Sequence, residues 1–351
     1  METTVENKTL SAMQQREYKK RLTVIVLSFG AAVLLMAVKF YAYGITHSAA
    51  ILSDALESII NVVASAFAMG SVIVAARPPD AGHPYGHGKI EFFSAGFEGA
   101  LIIIAALGIF YSGISHLLDP HPLPNLGLGL VLILVTAVFN LFLGIGLVRI
   151  GRQTDSLALI ADGKHVLTDV YTSGGVLAGL LIVSLTGFYR LDGIIACLVG
   201  INILITGFGL VRQSYQGLMD AANPALLERL ARLLVENRRE LWVDIHQLRA
   251  WKSGNHTHVD LHLVIPKDLT VEQAHREAKI LEKMILAGFD GKASALIHLD
   301  PCVAKDCPVC RQYVCDMREH PAGPPQDWSV ETLTTYKGFG HFGKENEPNR
   351  S

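Results

Sequence analysis

Residues 126–148 read LGLGLVLILVTAVFNLFLGIGLV, a run without a single charged side chain. A bilayer hydrocarbon core of about 30 Å is crossed by about 20 apolar helical residues, so this run is long enough to span one. Working outward, five further stretches have similar length and apolar character: 22–44, 48–76, 92–118, 156–187 and 191–211. Half of the 351 residues are hydrophobic and only 18% are charged, against about a quarter charged in soluble domains. Most of the charge falls in residues 222–351, which marks a membrane half and a soluble half. The predicted fold class is therefore membrane all-α, a six-transmembrane-helix bundle, followed by a soluble α+β domain. The expected segments are 1–21 (N-terminal), 22–217 (transmembrane), 218–302 (α+β) and 303–351 (a Cys-containing, largely flexible tail).

A net charge of −2 gives no support to a nucleic-acid partner or a polybasic membrane surface. The N-terminal METTVENKTLSAMQQREYKKR is too polar for a cleavable signal peptide. Lys and Arg in short flanks set orientation. Lys8, Arg16, Lys19, Lys20 and Arg21 precede the first span, Arg77 and Lys89 follow the second, and Arg149 and Arg152 follow the fourth. The opposite connections hold only Arg190. With an even helix count, both termini are expected in the cytoplasm, with the bundle in an inner or plasma membrane.

Ionisable residues in a membrane helix are costly and point to function. SAAILSDALESIINV (48–62) and SLALIADGKHVLTDV (156–170) match in spacing, Asp54, Glu57 and Asn61 falling where Asp162, His165 and Asp169 do. Three helices apart, the two stretches run in opposite directions, the pattern of an inverted repeat around a midplane site. An i, i+4 spacing puts Glu57 with Asn61, and His165 with Asp169, on one helical face each. Two such faces would present four N/O ligands, which suits a tetrahedral divalent ion such as zinc. Polar packing between helices explains Ser53 or Ser58; a Glu, a His and an Asp at matched depths are better explained by a metal. Lys39 and Glu98 are placed near opposite helix ends, where each is expected to reach an interface.

The connection RPPDAGHPYGHGKIE (77–91) supplies Asp80, His83 and His87 as metal-ligand candidates on a glycine-punctuated loop, with a structural turn as the main rival reading. Residues 222–302 read helix, strand, strand, helix, strand, an αββαβ, metallochaperone-like order. Within it His246, His262, His275, His298 and Asp300 form a second candidate cluster. Strand residues two apart share a face, so His298 and Asp300 point the same way.

These motifs together resemble the cation diffusion facilitator family, from about Leu22 to Pro301: His165-xxx-Asp169, HPYGHGKIE, and the His/His/His/HxD pattern of the soluble domain. The resemblance implies a homodimeric exporter, not an enzyme, that exchanges a divalent metal for protons. It implies a transport site of Glu57, Asn61, His165 and Asp169, a loop site of Asp80, His83 and His87, and a cytoplasmic two-metal site with Asp300 bridging. Lys89 and Asp220 match positions that pair across the dimer in some relatives. One departure stands out: the family's zinc and iron exporters usually carry Asp-xxx-Asp or His-xxx-Asp in the second helix, and this chain carries Glu57-xxx-Asn61. Zinc leads as the expected ion, with iron(II), cobalt and nickel open; a histidine ligand argues against manganese. A membrane-anchored metal sensor or metalloenzyme is the alternative class, weakened by the absence of an HExxH motif.

DPCVAKDCPVCRQYVC (300–315) places Cys302, Cys307, Cys310 and Cys315 in a C-x4-C-x2-C-x4-C pattern. On the reducing side of a membrane disulfides are disfavoured, and a structural zinc on four thiols stands slightly ahead of a tail in which only some of these thiols bind anything.

Overall fold

The structure, a computed structural model, describes residues 2–46, 49–119, 127–186, 190–312, 315–324 and 326–335. They form two compact units, a helical one up to Met219 that also takes in Ser253–Asn255, and a mixed one from the remaining residues, Asp220 onward.

The helical unit consists of α1 (Glu2–Thr46), α2 (Ala49–Ala75), α3 (Ile90–Leu118), α4 (Gly127–Gln153), α5 (Leu157–Thr186) and α6 (Arg190–Leu218). Among the described residues, spans in α1, α2, α3, α4 and α6 are long and apolar enough to cross a membrane. At a rise of about 1.5 Å per residue, the 30-residue α5 is long enough as well. Helix α1 begins well before the predicted span at 22, and its polar N-terminal turns continue the same helix. The outward faces are apolar: Ile104, Phe142, Leu198 and Ile205 are all more than 60% exposed. Side chains of this kind need lipid around them.

Inside the bundle α3 lies along α6, α4 along α5 and α1 along α2. Ala95, Ile102 and Ala106 of α3 pack with Ala161 of α5 and with Ile203 and Leu210 of α6. Small residues permit the close approach that membrane helices rely on in place of a hydrophobic drive. A Cβ at Gly193 of α6 would meet the Gly113 carbonyl of α3 at 2.5 Å. At the base of the bundle, Arg21 of α1 pairs with the buried Glu91 of α3 at 3.3 Å and donates to the Thr154 carbonyl. Ser156 donates to the other Glu91 oxygen at 2.6 Å, so one carboxylate joins α1, α3 and the turn before α5.

The mixed unit runs α7 (Pro224–Glu236), β1 (Asp244–Ser253), β2 (His256–Ile265), α8 (Val271–Gly288) and β3 (Ala293–Pro301), the αββαβ order expected. Asn223 caps α7 by accepting from the Leu226 N–H, and Pro224 fits the first turn, where no N–H is needed. Thr270 and Gln273 close a capping box at α8. The sheet order is β1-β2-β3, with β2 and β3 parallel and His262 opposite His298. Both helices bury their apolar faces with the sheet's: Leu230 and Leu234 of α7, Leu281 and Ile285 of α8, Ile245, Leu261 and Leu263. The buried Glu277 is satisfied by Arg239 at 2.9 and 3.2 Å and by the Trp242 indole N–H at 2.9 Å.

The tail departs from expectation. Composition predicts a largely flexible tail over 303–351, yet Trp328 and Leu333, at 3% and 0% exposure, belong to this domain's core. The Arg238 guanidinium lies 3.9 Å from the centre of a Trp328 ring and donates to the Gln326 carbonyl at 2.8 Å. Gln247, in the middle of β1, adopts a left-handed φ of 50°, and its N–H turns to the Thr335 carbonyl. Leu333→Ala is expected to destabilise the domain by about 2–5 kcal/mol through the cavity it leaves. Urea unfolding of a 220–335 fragment measures this; a loss under about 0.5 kcal/mol would mean that the tail adds nothing to the core.

Candidate metal centres

In the bundle, α2 and α5 bring Asn61, His165 and Asp169 together. His165 Nε2 lies 3.0 Å from Asn61 Oδ1, and the Asn61 amide donates to Asp169 Oδ2 at 2.8 Å. The three groups line a cavity of about 30 Å3, enough for an ion and a water. Glu57 is one helical turn before Asn61 on α2, but its side chain lies outside the described residues. An imidazole, an amide oxygen and a carboxylate oxygen within hydrogen-bonding reach of one another also fit one borderline divalent ion.

Two expectations about charges in the membrane are corrected. Lys39 does not simply reach an interface: its side chain lines the same cavity as His165 and Asp169. Glu98 is fully buried, with 0% exposure, although it sits two turns from its helix end. Depth along a helix says nothing about which face meets the bundle, and that face decides burial. Asp162, also fully buried, accepts from Ser28 at 2.6 Å and lies one turn before His165. The repeat alignment had marked Asp162 through its match to Asp54. No sequence signal marked Asn140, which also lines the cavity.

The loop between α2 and α3 gathers Asp80, His83 and His87. Asp80 Oδ1 accepts from the backbone N–H groups of Gly82 at 2.9 Å and His83 at 2.7 Å. The His83 N–H, foremost, holds the Asp80 carboxyl below its usual range, against a smaller opposing effect of desolvation. Gly86 takes a φ of 82° where the loop turns back, a conformation that a Cβ would strain. The turn leaves His83 Nδ1 and His87 Nε2 each 3.3 Å from an Asp80 oxygen. The three residues can offer ligand atoms within 4.8 Å of one another.

In the soluble domain the register sets His262 beside His298, and Asp300 reaches both. His262 Nδ1 is 2.9 Å and His246 Nε2 3.6 Å from Asp300 Oδ2, while His298 Nε2 is 3.3 Å from Oδ1. The two carboxylate oxygens thus face different histidines, the arrangement a bridging ligand needs. His275 is exposed on α8 and is not among the groups brought together. The strand-mates His256 and His258 lie away from Asp300; His258 stacks on Trp251 and meets Ser294 at 2.9 Å. Cys302, Cys307, Cys310 and Cys315 line one small cavity after β3.

Residues 25–219 match the cation efflux transmembrane domain, and residues 233–302 match the cation efflux protein cytoplasmic domain. An uncharacterized transporter of Synechocystis sp., sll1263, is 38% identical over 79% of this chain and 89% of its own. The cation-efflux pump FieF of Citrobacter koseri is 32% identical, and that of Escherichia coli 31%, each over 77% of this chain and 89% of the relative. A solved structure of CzrB in its zinc form is 30% identical over 23% of this chain and 91% of that one, but its TM-score of 0.22 is too low to carry an argument. With one domain profile covering more than half of its length, and relatives that span most of theirs, the chain belongs to the cation diffusion facilitator family, integral membrane transporters of the cation-efflux type.

Proposed function

We propose that the chain is a homodimeric exporter of divalent transition metal, zinc foremost, that trades the ion for protons at Glu57, Asn61, His165 and Asp169. The observation that carries this reading is the convergence of Asn61, His165 and Asp169 on one cavity inside the bundle. Two carboxylates and two neutral ligands would balance the charge of a divalent ion. Histidine as a residue type titrates near neutral pH, and a metal needs its ring nitrogen bare, so loading expels any proton held there. Both termini and the soluble domain then lie in the cytoplasm, where the Asp300 cluster would hold two ions and stabilise the dimer. Asp80, His83 and His87 would hold another on the loop.

Purified protein in proteoliposomes, offered zinc, iron(II), cobalt, nickel and cadmium across an imposed pH gradient, tests the proposal. Zinc flux that rises with the gradient and collapses with a proton ionophore is expected. Flux indifferent to the gradient would overturn exchange, and no flux for any metal would overturn transport.

Asn61→Asp tests the unusual amide. A carboxylate there would face Asp169 at about the 2.8 Å now spanned by a hydrogen bond. Two carboxylates so close need a cation or a shared proton between them. The variant should therefore depend more steeply on pH, and relative rates among metals should shift by about tenfold, or ~1.4 kcal/mol. An unchanged ranking and pH profile would assign Asn61 to helix packing alone.

A further inference from the structure

The chain leaving β3 folds into a compact loop that has no core of its own. The Cys302 N–H donates to the Ile265 carbonyl at 2.8 Å, which fixes the start of the loop to the end of β2. A 3-10 turn follows over Ala304–Val309, its entrance held by the Val303 N–H on Asp306 at 2.8 Å. The Cys310 N–H reaches back to the carbonyls of Asp306 at 3.1 Å and Cys307 at 3.3 Å. Arg318 gathers the carbonyls of Cys307 at 2.7 Å, Cys310 at 3.4 Å and Gln312 at 2.5 Å. The Gly323 N–H closes onto the Pro308 carbonyl at 2.8 Å. Yet among the described residues from 302 to 324, no side chain is buried. Small folded pieces without a core are held by disulfides or by metal. All four cysteines are free thiols, and all four line one cavity of about 20 Å3.

We propose that Cys302, Cys307, Cys310 and Cys315 hold one structural zinc ion through four thiolates, and that this ion clips the loop so that residues 326–335 return to the domain core. Four thiolates complete a tetrahedral shell, and sulfur selects zinc over the harder divalent ions. Binding releases any thiol protons to solvent and needs no redox partner. The ion with four thiolates carries two excess negative charges; Arg318 and Lys267, both at the cavity, oppose them. The clip sits directly upstream of the anchors Trp328 and Leu333, which a polar stretch (Asp316–Pro324) separates from it. This inference does not rest on the transport reading, because no proposed transport ligand takes part in it.

The test uses full-length protein purified without oxygen in detergent. Elemental analysis should find one zinc fewer per protomer in the Cys307→Ser/Cys310→Ser double variant than in wild type, with zinc flux in proteoliposomes within about twofold. Cobalt-loaded wild type should show intense thiolate-to-cobalt charge transfer, absent from the double variant; every other candidate site offers only nitrogen and oxygen. Protease should cut between residues 312 and 326 faster in the variant. Equal metal content, a wild-type cobalt spectrum without charge transfer, or disulfides among these cysteines in the anaerobic protein would each overturn the proposal. The cobalt spectrum of wild type needs no variant, so a double variant that fails to fold leaves the test intact.

Discussion

His165→Ala and Asp169→Ala are each expected to cut metal flux by on the order of 100-fold or more while the protein still elutes as wild type does. Disturbing only the groups behind a metal ligand costs about 10- to 100-fold in affinity, so removing a ligand itself sets that as the lower bound. His165 is 6% exposed and hydrogen-bonded to Asn61, which in turn holds Asp169. Deleting either end breaks one bond of that chain as well as the donor set. The fold should tolerate this, since the first turns of α5 are packed independently of the site through the buried Ala158, Leu159 and Ala161. Flux in proteoliposomes at zinc well below the wild-type half-saturating concentration, beside a size-exclusion profile, separates the two effects. Wild-type flux in either variant would remove the proposed site.

Asp300→Ala carries the second large effect. In wild type, zinc at about 100 times its dissociation constant should stabilise the soluble domain by about 2.7 kcal/mol for each independent ion. For a domain of this size, about 1 kcal/mol moves the melting temperature by ~4–8 °C, so the shift should exceed about 10 °C. Asp300 lies within reach of His246, His262 and His298 together. Its loss should abolish most of the shift, whereas His275→Ala in the isolated domain should spare it. Protons compete with metal for imidazole, so the wild-type shift should shrink on acidification. The fragment must run to residue 335, because Trp328 and Leu333 complete its core. A shift of equal size in Asp300→Ala would overturn the cluster as a metal site.

The two helical faces were legible because a membrane makes charge conspicuous: His165 and Asp169 stand out in an apolar run, and their spacing alone puts them on one face. The αββαβ order was legible because strand alternation and helical periodicity differ so sharply in 222–302. Lys39 and Glu98 were misjudged because position along a helix was used where rotation about it matters. The Arg21–Glu91–Ser156 junction left no local pattern, since its members sit 65 to 70 residues or more apart in sequence. The tail was misjudged because average composition hides two anchors: Trp328 and Leu333 are few among polar neighbours, yet both are buried. Gln247 has no signal at all, for a left-handed φ in a non-glycine residue follows from what docks against it.

A carrier spends part of every cycle with nothing aboard, and the Asn61 amide bears on that part. Its oxygen meets His165 and its nitrogen meets Asp169, so the three side chains satisfy one another instead of presenting bare charge to a dry interior. At the transport site proposed above, arriving metal would displace these two bonds and its departure would let them re-form, which would even out the energies of the laden and unladen forms. Such levelling favours turnover over tight retention: an ion held by four unopposed ligands would be slow to leave. On that proposal the amide would make letting go easier.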